Sequence, residues 1–160
     1  MSHPSLGLPP PDMSAGDHAA AAALRSAGPR LRARAFQAAL DLDPTLRERH
    51  GDLMREALAA DLEAFVDRLM TSLSTGEPRA MATFADLVAV RYRKRKVGMD
   101  DVITLCEGLR RAAAGVVELE AVAALDAAID AAIEVFRWHR RLAGDARKRN
   151  KLISFIYKGA

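Results

Sequence analysis

The sequence predicts an all-α protein, and three observations support this prediction. Half of the 160 residues are apolar, but aromatic residues make up only 5%, and alanine supplies much of the remainder. Alanine favours helices, whereas strands prefer the β-branched and aromatic residues that are sparse here. Apolar residues also recur at steps of three and four, and glycine or proline separates the resulting segments. We therefore expect a helical bundle of about five to six helices with a long C-terminal helix.

The length and local composition predict one domain with short extensions. A chain of 160 residues can bury roughly 70% of its unfolded surface, which is enough for one self-sufficient core. Residues 1–16 contain four prolines and little apolar surface, so we expect this segment to be disordered. Residues 17–150 are predicted to form the single helical domain. Residues 151–160 form a closing segment that is both apolar and basic.

The first half of the domain contains clear helix boundaries. An alanine-rich helix from Asp17 is predicted to end at Gly28 and Pro29, where a second helix begins. A further helix begins at Pro44 after an Asp43 cap, or at the capping box Thr45-x-x-Glu48. It continues to about Ser74 and ends at Gly76 and Pro78. Its apolar stripe comprises Leu58, Leu62, Phe65, Val66, Leu69, Met70 and Leu73.

The second half contains three more predicted helices. One spans about residues 79–96, and we expect one of its sides to bear Met81, Phe84, Leu87, Val88 and Tyr92. Gly98 ends it, and Asp100 and Asp101 place negative charge at the start of the next helix, where the helix dipole favours it. The apolar stripe of that helix comprises Val102, Leu105, Cys106, Leu109, Ala113 and Val116. The last helix is predicted to run from about residue 118 to residue 150 or beyond.

Cysteine content and charge bear on the compartment and the partner. Cys106 is the only cysteine, so the fold needs no disulfide, and we expect a cytoplasmic protein without a membrane span. From Arg137 to the C-terminus the chain carries a net charge of +7, whereas the preceding residues carry −4. Such a basic end suggests an acidic partner, which is a protein, a nucleic acid or a membrane surface.

The residue pattern gives little support to metal binding or catalysis. None of the four histidines has the spacing of a zinc site, and Cys106 falls in an apolar stripe where a thiol is normally inert. His139 follows Phe136 by three residues on the same helix face, which makes it the candidate axial ligand for haem or another tetrapyrrole. The alternative is a structural histidine at the boundary of the core.

Two clusters are candidate interaction sites. The basic cluster at the end of a predicted helix contains Arg91, Arg93, Lys94 and Arg95. It could bind phosphates, but cations are favoured at a helix C-terminus in any case. The C-terminal apolar cluster contains Leu152, Phe155, Ile156 and Tyr157. It is too apolar for a solvated tail, so we expect it to pack against the bundle, a second copy or a partner.

The order of these features resembles a known family. A helix through residues 42–73 is followed by the turn Thr75-Gly-Glu-Pro, a helix from Phe84-Ala-Asp-Leu to Arg95-Lys-Val-Gly, and then Met-Asp-Asp-Val-Ile-Thr-Leu-Cys-Glu-Gly-Leu-Arg. This pattern is similar, over about residues 42–148, to the N-terminal helical sensor domain of RsbR-type stressosome proteins. The resemblance implies a globin-like fold without haem and a dimeric input module that passes a signal to an output domain. It brings no catalytic residues with it.

The sequence as a whole favours a non-enzymatic function. We expect a regulatory or sensory module that binds a protein partner or a second copy of itself. Two alternatives stay open: a globin-like sensor that binds a tetrapyrrole through His139, and a helical protein that binds nucleic acid through its basic cluster. No output domain follows residue 160, so we expect either a fragment or a module that works alone.

Overall fold

A computed structural model of the chain describes residues 15–156, with side chains described as far as Leu142. The regular structure in that part of the chain is helical, which confirms the predicted all-α bundle and its long C-terminal helix. The α-helices, in chain order, are α1 (His18–Leu42), α2 (Leu46–Arg49), α3 (Asp52–Thr75), α4 (Arg79–Lys94), α5 (Met99–Ala114) and α6 (Val122–Ile156). A 3₁₀ turn (Leu119–Ala121) precedes α6.

An aromatic cluster within the core forms where α3, α4 and α6 meet. The ring of Phe65 lies edge-on to Phe84, with centroids 5.0 Å apart, and 6.2 Å from the ring of Phe136. Helix α1 packs against α3 and α5, and α6 packs against α4 and α5. Burying a large apolar side chain in this core contributes roughly 1.5–3 kcal/mol to stability. The aliphatic side chains with almost no exposed surface include Leu24, Leu31, Leu58, Leu62, Leu69, Leu73, Met81, Leu105 and Leu109.

Helices α1 and α5 approach each other unusually closely at Gly108. A Cβ atom on Gly108 would lie 2.3 Å from the backbone oxygen of Ala35 and 2.7 Å from the backbone nitrogen of Ala39. Both alanines are fully buried. The small side chains therefore let two helix backbones pack closely, which is how the alanine-rich composition contributes to the core.

Two predicted helix boundaries are confirmed by backbone geometry. Gly28 has a positive φ of 40° and lies at a kink within α1, immediately before Pro29. Gly76 ends α3 in the left-handed conformation, with φ at 69°. The N–H of the following Glu77 donates to the carbonyl of Ser72, which completes a glycine-based C-cap.

The predicted helix through residues 44–74 is wrong in one respect. The chain forms the short helix α2, breaks at His50 and Gly51, and starts again as α3. The capping box does not form, because the Thr45 side chain makes no cap bond and its hydroxyl donates to Asp43 instead. His50 leaves the helical path and lies 2.6 Å from Asp101 of α5. A tertiary contact thus replaces a helical continuation.

The N-terminal boundary is tied to α3. Residues 1–14, most of the segment predicted to be disordered, lie outside the described residues. Gly16 lies against the end of α3, and the N–H of Asp17 donates to the carbonyl of Leu73 over 2.7 Å. The Asp17 side chain accepts from the N–H of Ala20 and caps α1. None of the helices in residues 15–156 is long and apolar enough to cross a membrane.

Candidate functional site

Most of the large exposed apolar residues in the described part of the chain lie on the adjacent helices α4 and α6. Leu87 and Val90 of α4 are 66% and 43% exposed, and Trp138 and Leu142 of α6 are 49% and 44% exposed. We call these four residues the α4–α6 face. The residues on each helix are three or four positions apart, which places them on one side of it. The two helices pack against each other.

The α4–α6 face exists because the core takes a different side of each helix. On α4 the buried side contains Met81, Ala85, Val88 and Tyr92, and Leu87 and Val90 point away from it. The prediction that Leu87 shares the side of Met81 and Tyr92 is therefore wrong. On α6 the buried residues Leu125, Ile129, Ala132 and Phe136 leave Trp138 and Leu142 outside.

His139 and Asp86 join the two halves of this face. The side-chain nitrogen Nε2 of His139 lies 2.8 Å from Oδ1 of Asp86, and His139 is only 4% exposed. A carboxylate only accepts hydrogen bonds, so Nε2 donates. Asp86 precedes Leu87 and His139 follows Trp138, so this bond links α4 to α6 at positions next in sequence to two of the exposed apolar residues. The indole of Trp138 lies edge-on to the imidazole, with centroids 4.8 Å apart.

The geometry of His139 bears on the tetrapyrrole hypothesis. Its Nε2 is held by Asp86, and its Nδ1 is buried without a hydrogen-bond partner among the described residues. Ligation of a haem iron through Nε2 would require the bond to Asp86 to break. No group of three or more histidine, cysteine, aspartate or glutamate residues in the described part of the chain could hold a metal ion. Haem ligation by His139 stays a prediction.

The predicted basic cluster divides into two kinds of residue. Arg91, Arg93 and Lys94 are exposed, and within the described residues they form no ion pair. Arg95 is instead a structural link, because its guanidinium lies 2.6 Å from the carboxylate of Asp61 on α3. It also lies over the ring of Tyr92, 5.4 Å from the centroid. Only the first three are therefore available to a partner.

Two buried titratable groups on α4 and α5 are held in their neutral forms. Burial raises the pKa of the Tyr92 hydroxyl, and the charge of Asp61 and its hydrogen bond to Tyr92 raise it further. Burial also raises the pKa of the Cys106 thiol, and the nearby carboxylate of Glu107 adds to this effect. The prediction that Cys106 belongs to the core is confirmed. Neither group is placed to act as a nucleophile, because the reactive form of each is its anion.

The predicted C-terminal apolar cluster cannot be placed on the surface. The side chains of Leu152, Phe155 and Ile156 and the whole of Tyr157 lie outside the described residues. Helix α6 itself continues to Ile156, which agrees with the expectation of a last helix that runs to residue 150 or beyond. Interaction through these four residues stays a prediction.

The sequence did not predict an ionic cluster that lies at the start of α5. The carboxylate of Asp101 is buried and accepts from Arg49 through Oδ1 and from His50 through Oδ2, each over 2.6 Å. Arg49 also pairs with Asp43, and the hydrogen bonds from Arg49 and Thr45 lower the pKa of the Asp43 carboxyl. The sequence signal at Asp101 was that of a helix start. Its partners lie about fifty positions away, so local pattern gave no indication of them.

Comparison with known proteins adds no further assignment. The sequence matches none of the protein-family models, and a search of curated proteins gives no match. An apolar face beside exposed cations can bind a complementary surface without any chemical step.

Proposed function

We propose that this chain is a regulatory or sensory protein-interaction module of the type found in bacterial signalling, and that it binds a partner rather than catalysing a reaction. The α4–α6 face carries this proposal. In the described part of the chain, four of the six large apolar residues with exposed side chains belong to it. Exposed apolar residues that are scattered singly are ordinary, whereas a shared patch is typical of an interaction site.

The composition of the face fits a protein partner. Tryptophan is among the residues that contribute most to protein interfaces, because its large ring is buried at a small entropic cost. Burial of apolar surface contributes roughly 25 cal/mol for each Å² removed from water. Trp138 is already positioned by its edge-on contact with the buried His139. Less ordering is therefore needed when a partner covers it.

The pattern resemblance supports the same function. RsbR-type sensor domains receive a signal and pass it on through protein contacts, and the chain resembles them over about residues 42–148. A bundle whose outer face joins two different helices is suited to this role. A shift between α4 and α6 would change the relative positions of Leu87 and Trp138, and hence the shape presented to the partner.

Site-specific cross-linking tests this function. The full chain is produced in its native cells with the photo-reactive residue p-benzoylphenylalanine in place of Trp138, and in a second version in place of Leu119. Leu119 is a matched control because it is 83% exposed but lies in the 3₁₀ turn before α6. We expect a discrete cross-linked protein from position 138 and none of comparable yield from position 119.

The outcome identifies the class of partner. A product that disappears when Leu142→Ser is added supports a specific interface, and a product of twice the mass of the chain identifies a second copy as the partner. Equal, diffuse labelling from both positions, or no protein product at position 138, contradicts the proposed function.

A further inference from the structure

We infer that the partner presents an acidic amphipathic helix to the α4–α6 face. This inference rests on the proposed function and specifies the chemistry of the segment that is bound. It follows from two features of the described surface: the helical spacing of its exposed apolar residues and the sign of the charges beside them.

The apolar part of the face fits a helix. Its residues come from two helices that pack side by side, and each helix contributes one pair at a spacing of three or four. A partner helix that lies along two such helices can place leucine-sized side chains, also at that spacing, against both pairs. Helix α4 has 16 residues and is about 24 Å long at 1.5 Å per residue. A helix of similar length would cover it.

The cations beside the face are exposed and have no ion pair among the residues whose side chains the structure describes. Arg91 follows Leu87 by four residues and Lys94 follows Val90 by four. Each cation therefore lies about one helical turn beyond an exposed apolar residue, on the same side of α4. On α6, Arg141 follows Trp138 by three residues and is exposed. None of these three cations has an ion pair with another described residue.

The described acids near the face already have a hydrogen-bond or ion-pair partner. Asp86 accepts from His139, and Glu134, one turn before Trp138, pairs with Arg137. Among the described residues beside the face, the three cations Arg91, Lys94 and Arg141 thus outnumber the one carboxylate, Asp86, that has no cationic arginine or lysine partner. Glutamate and aspartate on the solvent side of a partner helix would complement these cations and would favour docking in one orientation.

Two other occupants fit less well. A second copy bound symmetrically would bring two faces of the same positive charge into one interface, and like charges there oppose association. A nucleic acid would satisfy the cations, but its phosphates would leave the aliphatic side chains of Leu87, Val90 and Leu142 without apolar contact. Both occupants are distinguished by the experiment below.

Binding of designed helical peptides to the full chain tests the inference. The acidic peptide has leucines at helical spacing and glutamates elsewhere, the basic peptide has lysines in place of the glutamates, and the polar peptide has serines in place of the leucines. None contains tryptophan. Trp138 is the only tryptophan of the chain, so its emission reports coverage of the face directly.

We expect saturable binding of the acidic peptide with a shift of Trp138 emission to shorter wavelength. The basic and polar peptides should bind at least roughly tenfold more weakly, which corresponds to about 1.4 kcal/mol. Leu142→Ser and the double variant Arg91→Glu/Lys94→Glu should each lose a similar factor for the acidic peptide. The matched controls Leu119→Ser and Arg30→Glu/Arg34→Glu alter exposed residues of the same types elsewhere and should bind as the unaltered chain does.

Several results would overturn the inference. Equal affinity for acidic and basic peptides would remove the charge argument, and tighter binding of a single-stranded or duplex oligonucleotide would identify nucleic acid as the occupant. Absence of binding by every peptide would exclude an acidic helix, as would a dimer in sedimentation that Leu142→Ser dissociates. If cross-linking at position 138 still yields a protein partner in such a case, the proposed function stands and only this inference fails.

Discussion

At the scale of single residues, the packing of this bundle is sensitive to the size or the charge of a few side chains. Gly108 is the clearest case, because the backbone of α1 occupies the space that its side chain would need. Asp101 is a second case, since both of its oxygens are engaged by residues of a different segment. Cys106 is a third, because it is fully buried among apolar neighbours.

Gly108→Ala should destabilise the chain although alanine is the better helix former. The added Cβ would overlap the Ala35 carbonyl, so α1 and α5 must separate, and overpacking of this kind costs roughly 1–3 kcal/mol. Urea unfolding followed by circular dichroism measures the change. Gly115→Ala is the control, because the nearest atom to its added Cβ is 3.7 Å away. Equal stability of the two variants would show that the close approach is absent.

Ionisation of Cys106 should make the stability depend on pH. A raised pKa in the folded chain means that the thiol contributes stability below the unfolded pKa of about 8.5 and loses it as the pH rises above that value. Between about pH 7.5 and 9.5, the free energy of unfolding of the reduced chain should fall by about 1.4 kcal/mol more than that of Cys106→Ala. Parallel pH profiles for the two proteins would mean that the thiol is solvated in the folded state.

At the scale of whole elements, the glycines divide the chain largely as the sequence predicts. The boundaries at Gly28 and Gly76 are local, because a positive φ determines each of them, and α4 ends in the same way before Lys96, whose φ is 59°. The break at Gly51 is different in kind. It depends on the contact of His50 with Asp101, and a one-dimensional pattern contains no information about a partner about fifty positions away.

The same contrast explains which parts of the candidate site could be predicted. The basic run at the end of α4 is visible in the sequence, but the pairing of Arg95 with Asp61 requires knowledge that α3 lies beside α4. Leu87 sits next to Val88 in the sequence, and periodicity alone assigned both to the core. A signal did exist for α6, since Trp138 and Leu142 are out of phase with the apolar residues from Leu125 to Phe136.

Asp101→Asn should loosen α2 more than the rest of the molecule. The substitution keeps the shape of the side chain but removes the charge that holds Arg49 and His50, and a buried hydrogen bond to a charged group contributes roughly 1.5–3 kcal/mol. Hydrogen exchange should accelerate in α2 and in the segment that joins it to α3, while α6 keeps its protection. Asp52→Asn is the control, because its carboxylate is exposed and pairs only within its own helix. Uniform acceleration throughout the chain would contradict a local anchoring role.

At the scale of the whole molecule, the described bundle separates its interior from its candidate function. The core, to which α1, α3, α4, α5 and α6 all contribute, buries the large apolar side chains and the cysteine, and the α4–α6 face lies outside that core. Substitutions on the face should therefore change binding with little effect on folding, because exposed side chains contribute little to stability. This separation makes the proposed function accessible to direct measurement.

The affinity of the partner protein captured at position 138 is the measurement that tests this account most directly. The double variant Leu87→Ser/Leu142→Ser should lose at least roughly a hundredfold in affinity, about 2.7 kcal/mol, while its unfolding midpoint stays unchanged. The double variant Leu53→Ser/Leu119→Ser removes equally large, exposed leucines outside the face and should keep full affinity. Equal affinities for the two double variants would contradict the account, because the α4–α6 face would then not be the binding surface.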